Sequence, residues 1–266
     1  MSDKVVVVTG ASAGIGWACA DRLARSGWTV VGASRRGTSG NGWRGMAMNV
    51  DDDASVSAGV ATVLEDHGRI DALLACAGWG LAGAAEQTPL PDAKAQFETN
   101  FWGAVRAANA VLPTFRRHGH GRLVFMSSLG GVFGIPFQSF YSASKFALEG
   151  YGESLAYEVA PFGIHVTLIE PGNFKTDFTE SRRKVEVGED DPYRIARTKA
   201  IEVMERDEVT GANPGAVAKV AERVLASAHP PRRVSVGRFD ERIGILGKRI
   251  LPFRVFERAA KGPLGV

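Results

Sequence analysis

Tyr141 and Lys145 stand four residues apart in the segment Tyr141-Ser142-Ala143-Ser144-Lys145. On a helix, residues i and i+4 share one face, so a phenol and an ammonium at this spacing can address one bound molecule. A free phenol titrates near ~10, too high for easy proton exchange at neutral pH, and a neighbouring ammonium favours the phenolate. The pair therefore suits a general acid for carbonyl reduction and a general base for the reverse. Tyr and Lys at this spacing also decorate ordinary helices, so the string alone decides nothing. Near the start of the chain, Thr9-Gly10-Ala11-Ser12-Ala13-Gly14-Ile15-Gly16 has the form T-G-x3-G-x-G. Placed between a strand and a helix, such a turn lets the backbone approach a pyrophosphate, and the helix N-terminus supplies free N–H groups and a favourable dipole.

Both motifs need a scaffold, and the hydrophobic pattern predicts one. Val5–Val8 is a continuous apolar run, as in a strand buried on both faces. Residues 15–26 read as a helix ended by Gly27, Thr29–Ala33 as the second strand and 45–50 as a weaker third. Asp51–Asp53 offers caps for a helix through Leu64, and Ile70–Ala75 is a fourth strand. A helix over Asp92–Phe115 follows, then a fifth strand over Arg122–Met126, a long helix over Tyr141–Val159 and a sixth strand over His165–Ile169. A helix over Pro214–Ala226 and a seventh strand over Arg233–Gly237 complete the series. This alternation predicts an α/β fold: a single doubly wound Rossmann-type domain with a seven-stranded parallel sheet and helices on both faces. In such sheets ligands gather beyond the carboxyl ends of the strands. That is where Ser34-Arg35-Arg36, Asn49-Val50, Ala77-Gly78 and Ser127-Ser128 fall.

Composition excludes several classes. The 266 residues are 45% apolar and 23% charged, which rules out a disordered or collagen-like chain. A formal charge of +3 does not imply nucleic acid. The two cysteines, Cys19 and Cys76, cannot form a disulfide scaffold, and no apolar run approaches a membrane span. Met1-Ser2-Asp3-Lys4 leads straight into a predicted strand without a signal-peptide pattern, so a cytoplasmic location is expected. The five histidines form no metalloprotease-like cluster, and no metal site is expected.

The glycine spacing resembles that of the short-chain dehydrogenase/reductase family, and later stations extend the likeness over residues 5 to about 180. Ser128 precedes Tyr141 by thirteen residues, the separation of the family's serine and tyrosine. The resemblance therefore implies a catalytic set of Asn100, Ser128, Tyr141 and Lys145. Asn100 would hold water in a proton relay, with a structural bond to the backbone as the rival role. The implied cofactor contacts are Gly10, Ser12, Gly14, Ile15, Gly16, Ser34, Arg35, Asn49, Val50, Ala77, Gly78, Pro171, Gly172 and Thr176, together with Tyr141 and Lys145. Neutral Ser34 followed by Arg35 favours NADP(H) over NAD(H), because the guanidinium can grip a 2′-phosphate that an acidic residue would repel; solvated loop arginines are the bland alternative. Two departures stand out. Ala75-Cys76 replaces the family's paired asparagines, and Asn49 replaces its usual aspartate. From Ser127 through Phe178 the wording is most similar to bacterial carbonyl reductases and the 17-beta-hydroxysteroid and retinol dehydrogenase branch.

This likeness implies hydride transfer between nicotinamide and a bulky apolar ketone, aldehyde or secondary alcohol. A catalytically silent NADP(H)-binding scaffold or redox-sensing regulator is the alternative. Trp79, Phe133, Phe137, Phe174 and Phe178 are expected to line the substrate pocket, although each could equally be core. Residues 179–212 are expected to form a substrate lid, with Tyr193, Ile195, Ile201 and Met204 on one helix face. The resemblance implies a homodimer or homotetramer. Residues 229–266 hold nine Lys plus Arg against three acids. From about 238 they read as a basic tail whose apolar side packs on the domain or a partner subunit, with contact to a membrane surface as a lesser alternative.

Overall fold

The computed structural model describes residues 4–188, 190–263 and 266; Met1–Asp3 of the expected leaderless N-terminus lie outside them, as do Glu189 of the expected lid and Leu264 and Gly265 of the tail. In chain order the elements are β1 (Val5–Thr9), α1 (Gly14–Arg25), β2 (Thr29–Ser34), β3 (Arg44–Ala47), α2 (Asp53–His67), β4 (Ala72–Ala75) and β5 (Leu81–Ala82). There follow α3 (Leu90–Phe97), α4 (Gly103–His118), β6 (Gly121–Met126), α5 (Ser139–Val159), β7 (Ile164–Pro171), α6 (Phe178–Ser181) and β8 (Arg183–Lys184). The chain ends with α7 (Arg194–Val209), α8 (Gly215–Ala226), β9 (Arg233–Val236), α9 (Phe239–Ile250) and α10 (Phe253–Lys261).

Among the described residues seven strands form one sheet in the order β3-β2-β1-β4-β6-β7-β9. Each neighbouring pair is parallel, with Val7, for example, opposite both Val31 and Leu73. Successive side chains on a strand point to opposite faces. Val5 and Val7 accordingly enter one core with residues of α2, α4 and α5, and Val6 and Val8 enter the other with residues of α1 and α8. This double burial accounts for the unbroken apolar run in β1. The strand order reverses about β1, between β2 and β4, and opens a crevice there at the strands' carboxyl ends.

Three local features depart from the sequence pattern. The helix expected over 92–115 is broken: a π-helical turn, Glu98–Trp102, separates α3 from α4 and carries buried Asn100. A wide turn of this kind displaces the chain so that an inward-facing side chain can be re-aimed, and it is frequent at functional sites. A second, two-stranded sheet pairs Leu81 with Arg183 and Ala82 with Lys184, tying the segment after β4 to the expected lid. Within α7 the buried residues are Ala200, Ile201 and Glu208, whereas Ile195 is 84% exposed. Six residues separate 195 from 201, about one and two-thirds turns, so the two cannot share a face.

Candidate active site

A cleft of about 1020 Å³ runs along the carboxyl ends of β1, β2, β4, β6 and β7. Its first half is a cradle for an anion. α1 begins at Gly14 with no side-chain cap and no acidic residue in its first turn, so the helix N–H groups stay available. Gly14 has φ +55°, and a Cβ on Gly16 would lie 2.3 Å from the carbonyl oxygen of Gly10, so both positions require glycine. Thr9 Oγ1 accepts from the N–H groups of Cys76 (3.1 Å) and Ala77 (3.2 Å). That hydroxyl holds the ends of β1 and β4 together without the absent asparagines.

Gly10, Ser12, Gly14, Ile15, Gly16, Ser34, Arg35, Asn49, Val50, Ala77, Gly78, Pro171, Gly172 and Thr176 all line this cleft. Thr176 faces Gly14, where an added Cβ would lie 3.4 Å from its own Cβ. The side chain of Asn49 is partly committed, since its Oδ1 accepts from Asp51 N–H at 3.3 Å. Beyond β2, Ser34 Oγ is buried without a hydrogen-bond partner, and exposed Arg35 and Arg36 stand beside it. Arg36 Nη2 donates to Ser12 Oγ at 3.0 Å, which draws a second guanidinium to the glycine turn. Sequence reasoning gave that role to Arg35 alone; the adjacent basic residue was the available signal. An orphaned hydroxyl, two guanidinium groups and an uncapped helix N-terminus fit a phosphorylated nucleotide.

Midway along the cleft, Ser128, Tyr141 and Lys145 converge. Ser128 follows β6 and accepts from Gly130 N–H at 3.1 Å, which opens a tight turn ahead of α5. Tyr141 and Lys145 lie on one face of the first turns of α5, as their spacing predicts. Burial pushes the Tyr141 phenol above its ordinary value; the hydrogen-bonded Ser128 side chain pulls the other way, Glu208 adds to the rise and Arg182 opposes it. The expected lowering by Lys145 is thus not realised. The ammonium lies 5.9 Å from the Tyr141 ring centroid, and burial is the largest influence on the phenol. Lys145 itself is driven down to about 8 by burial, with Cys76 and Glu149 acting against the fall. Its Nζ donates to the carbonyl of Met126 at 2.9 Å.

Asn100 is buried beside this group and does not line the cleft. Its Oδ1 accepts from Trp79 N–H at 2.9 Å, and its Nδ2 donates to Trp79 O at 3.0 Å and Ser144 Oγ at 3.3 Å. The geometry is that of a backbone clamp, the rival role weighed above. Cys76 borders the cleft and contacts the fully buried Cys19, whose thiol is raised chiefly by a hydrogen bond to Cys76 and then by burial.

The far half is apolar. Trp79, Phe133, Phe174 and Phe178 line it, with Phe174 mostly buried in the core under α8. Phe137 does not line it. Its φ of +56° turns it away, and its ring packs 6.3 Å from that of Tyr193. The lid contributes Ala200, Val203 and Met204, and the ion pair Arg182–Glu208 lies inside it. The tail contributes Ile243, Leu251 and Phe256, the last 5.9 Å from Phe133. The tail is thus part of the cleft wall, not an appendage. Glu241 fixes it there: Oε1 accepts from Asn173 N–H (3.1 Å) and Nδ2 (2.8 Å), and Oε2 from Arg238 N–H (2.7 Å). A glutamate in a helix's first turn is a recognisable capping signal, obscured here because an arginine stands where Ser or Thr is usual.

A short chain dehydrogenase family model matches residues 4–186. The chain belongs to that family. Across 98% of both proteins the chain is 36% identical to a 3-ketodihydrosphingosine reductase of Bacteroides thetaiotaomicron. It is 34% identical to retinol dehydrogenase 8 of Bos taurus, with 86% of this chain and 80% of that protein covered. Human 17-beta-hydroxysteroid dehydrogenase type 1 is 40% identical over 68% of this chain and 60% of its own length, in line with the branch expected from residues 127–178. Among solved structures, a short-chain dehydrogenase from Streptomyces avermitilis superposes with a TM-score of 0.83 at 32% identity, covering 98% of each chain. Membership makes this chain an oxidoreductase-family protein with a nucleotide-binding Rossmann-type fold.

Proposed function

We propose that this dehydrogenase is an NADP(H)-dependent carbonyl reductase for a long-chain apolar ketone, a 3-keto lipid of the kind named for its Bacteroides relative. The observation that carries the reading is the position of Ser128, Tyr141 and Lys145 where the anion cradle meets the apolar half of the cleft. The cradle fits the dinucleotide, and Ser34, Arg35 and Arg36 would hold a 2′-phosphate. The reduced nicotinamide, when bound, supplies the hydride.

The chain's own residues do the rest. Ser128 donates a hydrogen bond to the carbonyl oxygen and fixes its orientation. Tyr141, kept protonated at neutral pH by burial, gives its proton to that oxygen as negative charge develops there. The hydrogen-bonded Ser128 side chain favours the phenolate left behind, and the Lys145 ammonium, 5.9 Å from the ring centroid, faces it. Phe133, Phe178, Leu251 and Phe256 exclude water and accept an alkyl chain. Residues 179–212 serve as the lid. Exposed Trp102 and Phe146, at the head of α4 and in α5, support assembly into a homodimer or homotetramer.

The test is to mix the protein with NADPH or NADH and a panel of 3-keto lipids, steroids, retinoids and aryl ketones, following the loss of reduced-nicotinamide absorbance. Turnover of a long-chain 3-keto lipid, faster with NADPH, is the expected result. Tight NADPH binding without turnover of any carbonyl would favour the silent scaffold.

A further inference from the structure

The outer face of α9 and α10 carries exposed apolar residues, of which Ile243 and Leu251 also border the cleft. Phe239, Ile243, Leu246 and Ile250 follow at i, i+4, i+7 and i+11, the spacing of one helical stripe. All four are exposed, Phe239 to 78% and Ile250 to 67%, while Ile245 on the opposite side is buried as the anchor. Leu251, Phe253 and Val255 prolong the exposed apolar surface into α10. Lys248 Nζ lies 4.8 Å from the ring centroid of Phe253 and 5.3 Å from that of Phe256, which holds the two helices in a fixed relation. Across 239–261 the sequence has six Lys or Arg against three acids, of which Asp240 and Glu241 are bonded to Arg238 and Asn173 at the head of α9 and Glu257 pairs with Lys261. Large contiguous apolar surface on a soluble domain marks a binding surface, and a basic rim around it calls for an anionic partner.

We propose that α9 and α10 dock this protein on an anionic phospholipid bilayer, with the mouth of the cleft turned toward the lipid. Charge selects this occupant over a second copy of the chain. An isologous contact would set one basic patch against another. The position of the cleft points the same way. Ile243, Leu251 and Phe256 belong both to the helical pair and to the cleft wall, so an apolar substrate can pass from the acyl region to Tyr141 without crossing water. No helix of the described residues is long and apolar enough to cross a membrane, so the contact is interfacial. The docking claim rests on this surface alone; the entry route for substrate rests on the carbonyl-reductase reading.

The experiment is flotation of the full chain with vesicles of phosphatidylcholine, with and without phosphatidylglycerol. Flotation is expected with phosphatidylglycerol and should weaken as salt rises, because each Lys or Arg near an anionic surface changes binding roughly fivefold. Leu246→Asp with Ile250→Asp, two residues outside the cleft wall, should lower vesicle binding about tenfold or more and leave reduction of a small water-soluble ketone unchanged. Arg254→Glu with Arg258→Glu should do the same without touching an apolar residue, which covers failure of the first variant to fold. Failure of the parent chain to float with phosphatidylglycerol overturns docking. So does a fall in oligomer mass in either variant with flotation intact, which assigns the face to a contact between copies. Docking with no reductase activity would leave this inference standing and remove the carbonyl-reductase reading.

Discussion

Lys145 directs its ammonium at the main-chain carbonyl of Met126, 2.9 Å away, from a site buried enough to bring its titration down to about 8. In the unfolded chain the same group titrates near 10.5. Between those values the unfolded state binds more protons, so stability rises with pH. The cost of burying the ammonium is therefore present in full below pH 8 and disappears toward 10.5. Denaturant unfolding of wild type and Lys145→Met at pH 7 and pH 10 isolates it. Relative to the variant, wild type should gain on the order of 3 kcal/mol across that interval. A difference that stays flat with pH would mean that Nζ is hydrated.

Tyr141→Phe keeps the ring against Phe178, 5.8 Å between centroids, and removes the one proton the proposed mechanism needs. Carbonyl reduction should fall roughly 10²- to 10⁴-fold. NADPH affinity, read from nicotinamide fluorescence, should change by less than about threefold, since loss of one partly screened contact is a small change in binding. Reduction at the parental rate would remove Tyr141 from the acid role.

Arg35 and Arg36 are both exposed on the cleft rim, and Arg36 is already linked to Ser12. Replacing both by alanine should raise KM for NADPH about tenfold or more and alter KM for NADH by less than about threefold, because a charge-assisted phosphate contact is lost only with the former. Equal losses with both cofactors would assign the pair to the turn rather than to a 2′-phosphate.

Arg182 has no exposed side-chain surface and is neutralised by Glu208, which also accepts from Thr179 Oγ1 at 2.6 Å. Glu208→Gln removes the nearer counter-charge of a buried guanidinium and leaves it only Glu205, 3.9 Å away, a loss on the order of 2–3 kcal/mol. The lid should respond first, with faster limited proteolysis within residues 179–212. Arg182→Met combined with Glu208→Leu should restore much of the protection, because a matched apolar pair carries no stranded charge. If the single and double variants are cleaved alike, the pair does not hold the lid.

The parallel sheet was legible because burial on both faces leaves unbroken apolar runs such as Val5–Val8, and the cradle because a close backbone approach admits nothing larger than glycine at 16. Tyr141 and Lys145 followed from their spacing over one helix turn, and Ser128 from the resemblance to the short-chain family. What escaped depended on contacts between distant segments. The π-helical turn at Asn100 is set by its clamp on Trp79, twenty-one positions away. Phe137 has an apolar side chain like Phe133 and Ile135, and its left-handed backbone, invisible in composition, takes it out of the cleft. The tail's packing on the domain was expected, but its share in the cleft wall was not legible, since its charge count says nothing of Glu241 reaching back to Asn173.

That glutamate gives the C-terminus a structural precedence its sequence position hides. A Cβ on Gly172 would come within 2.2 Å of Glu241 Oε2, and one on Gly237 within 2.3 Å, so two glycines keep room for a single carboxylate. A chain shortened before α9 would lose the acceptor for the Asn173 amide and a stretch of wall opposite Phe133. Helix α9 is thus a requirement for a finished reaction chamber, and the cleft stays open at that side in any folding intermediate in which Glu241 has not yet reached Asn173.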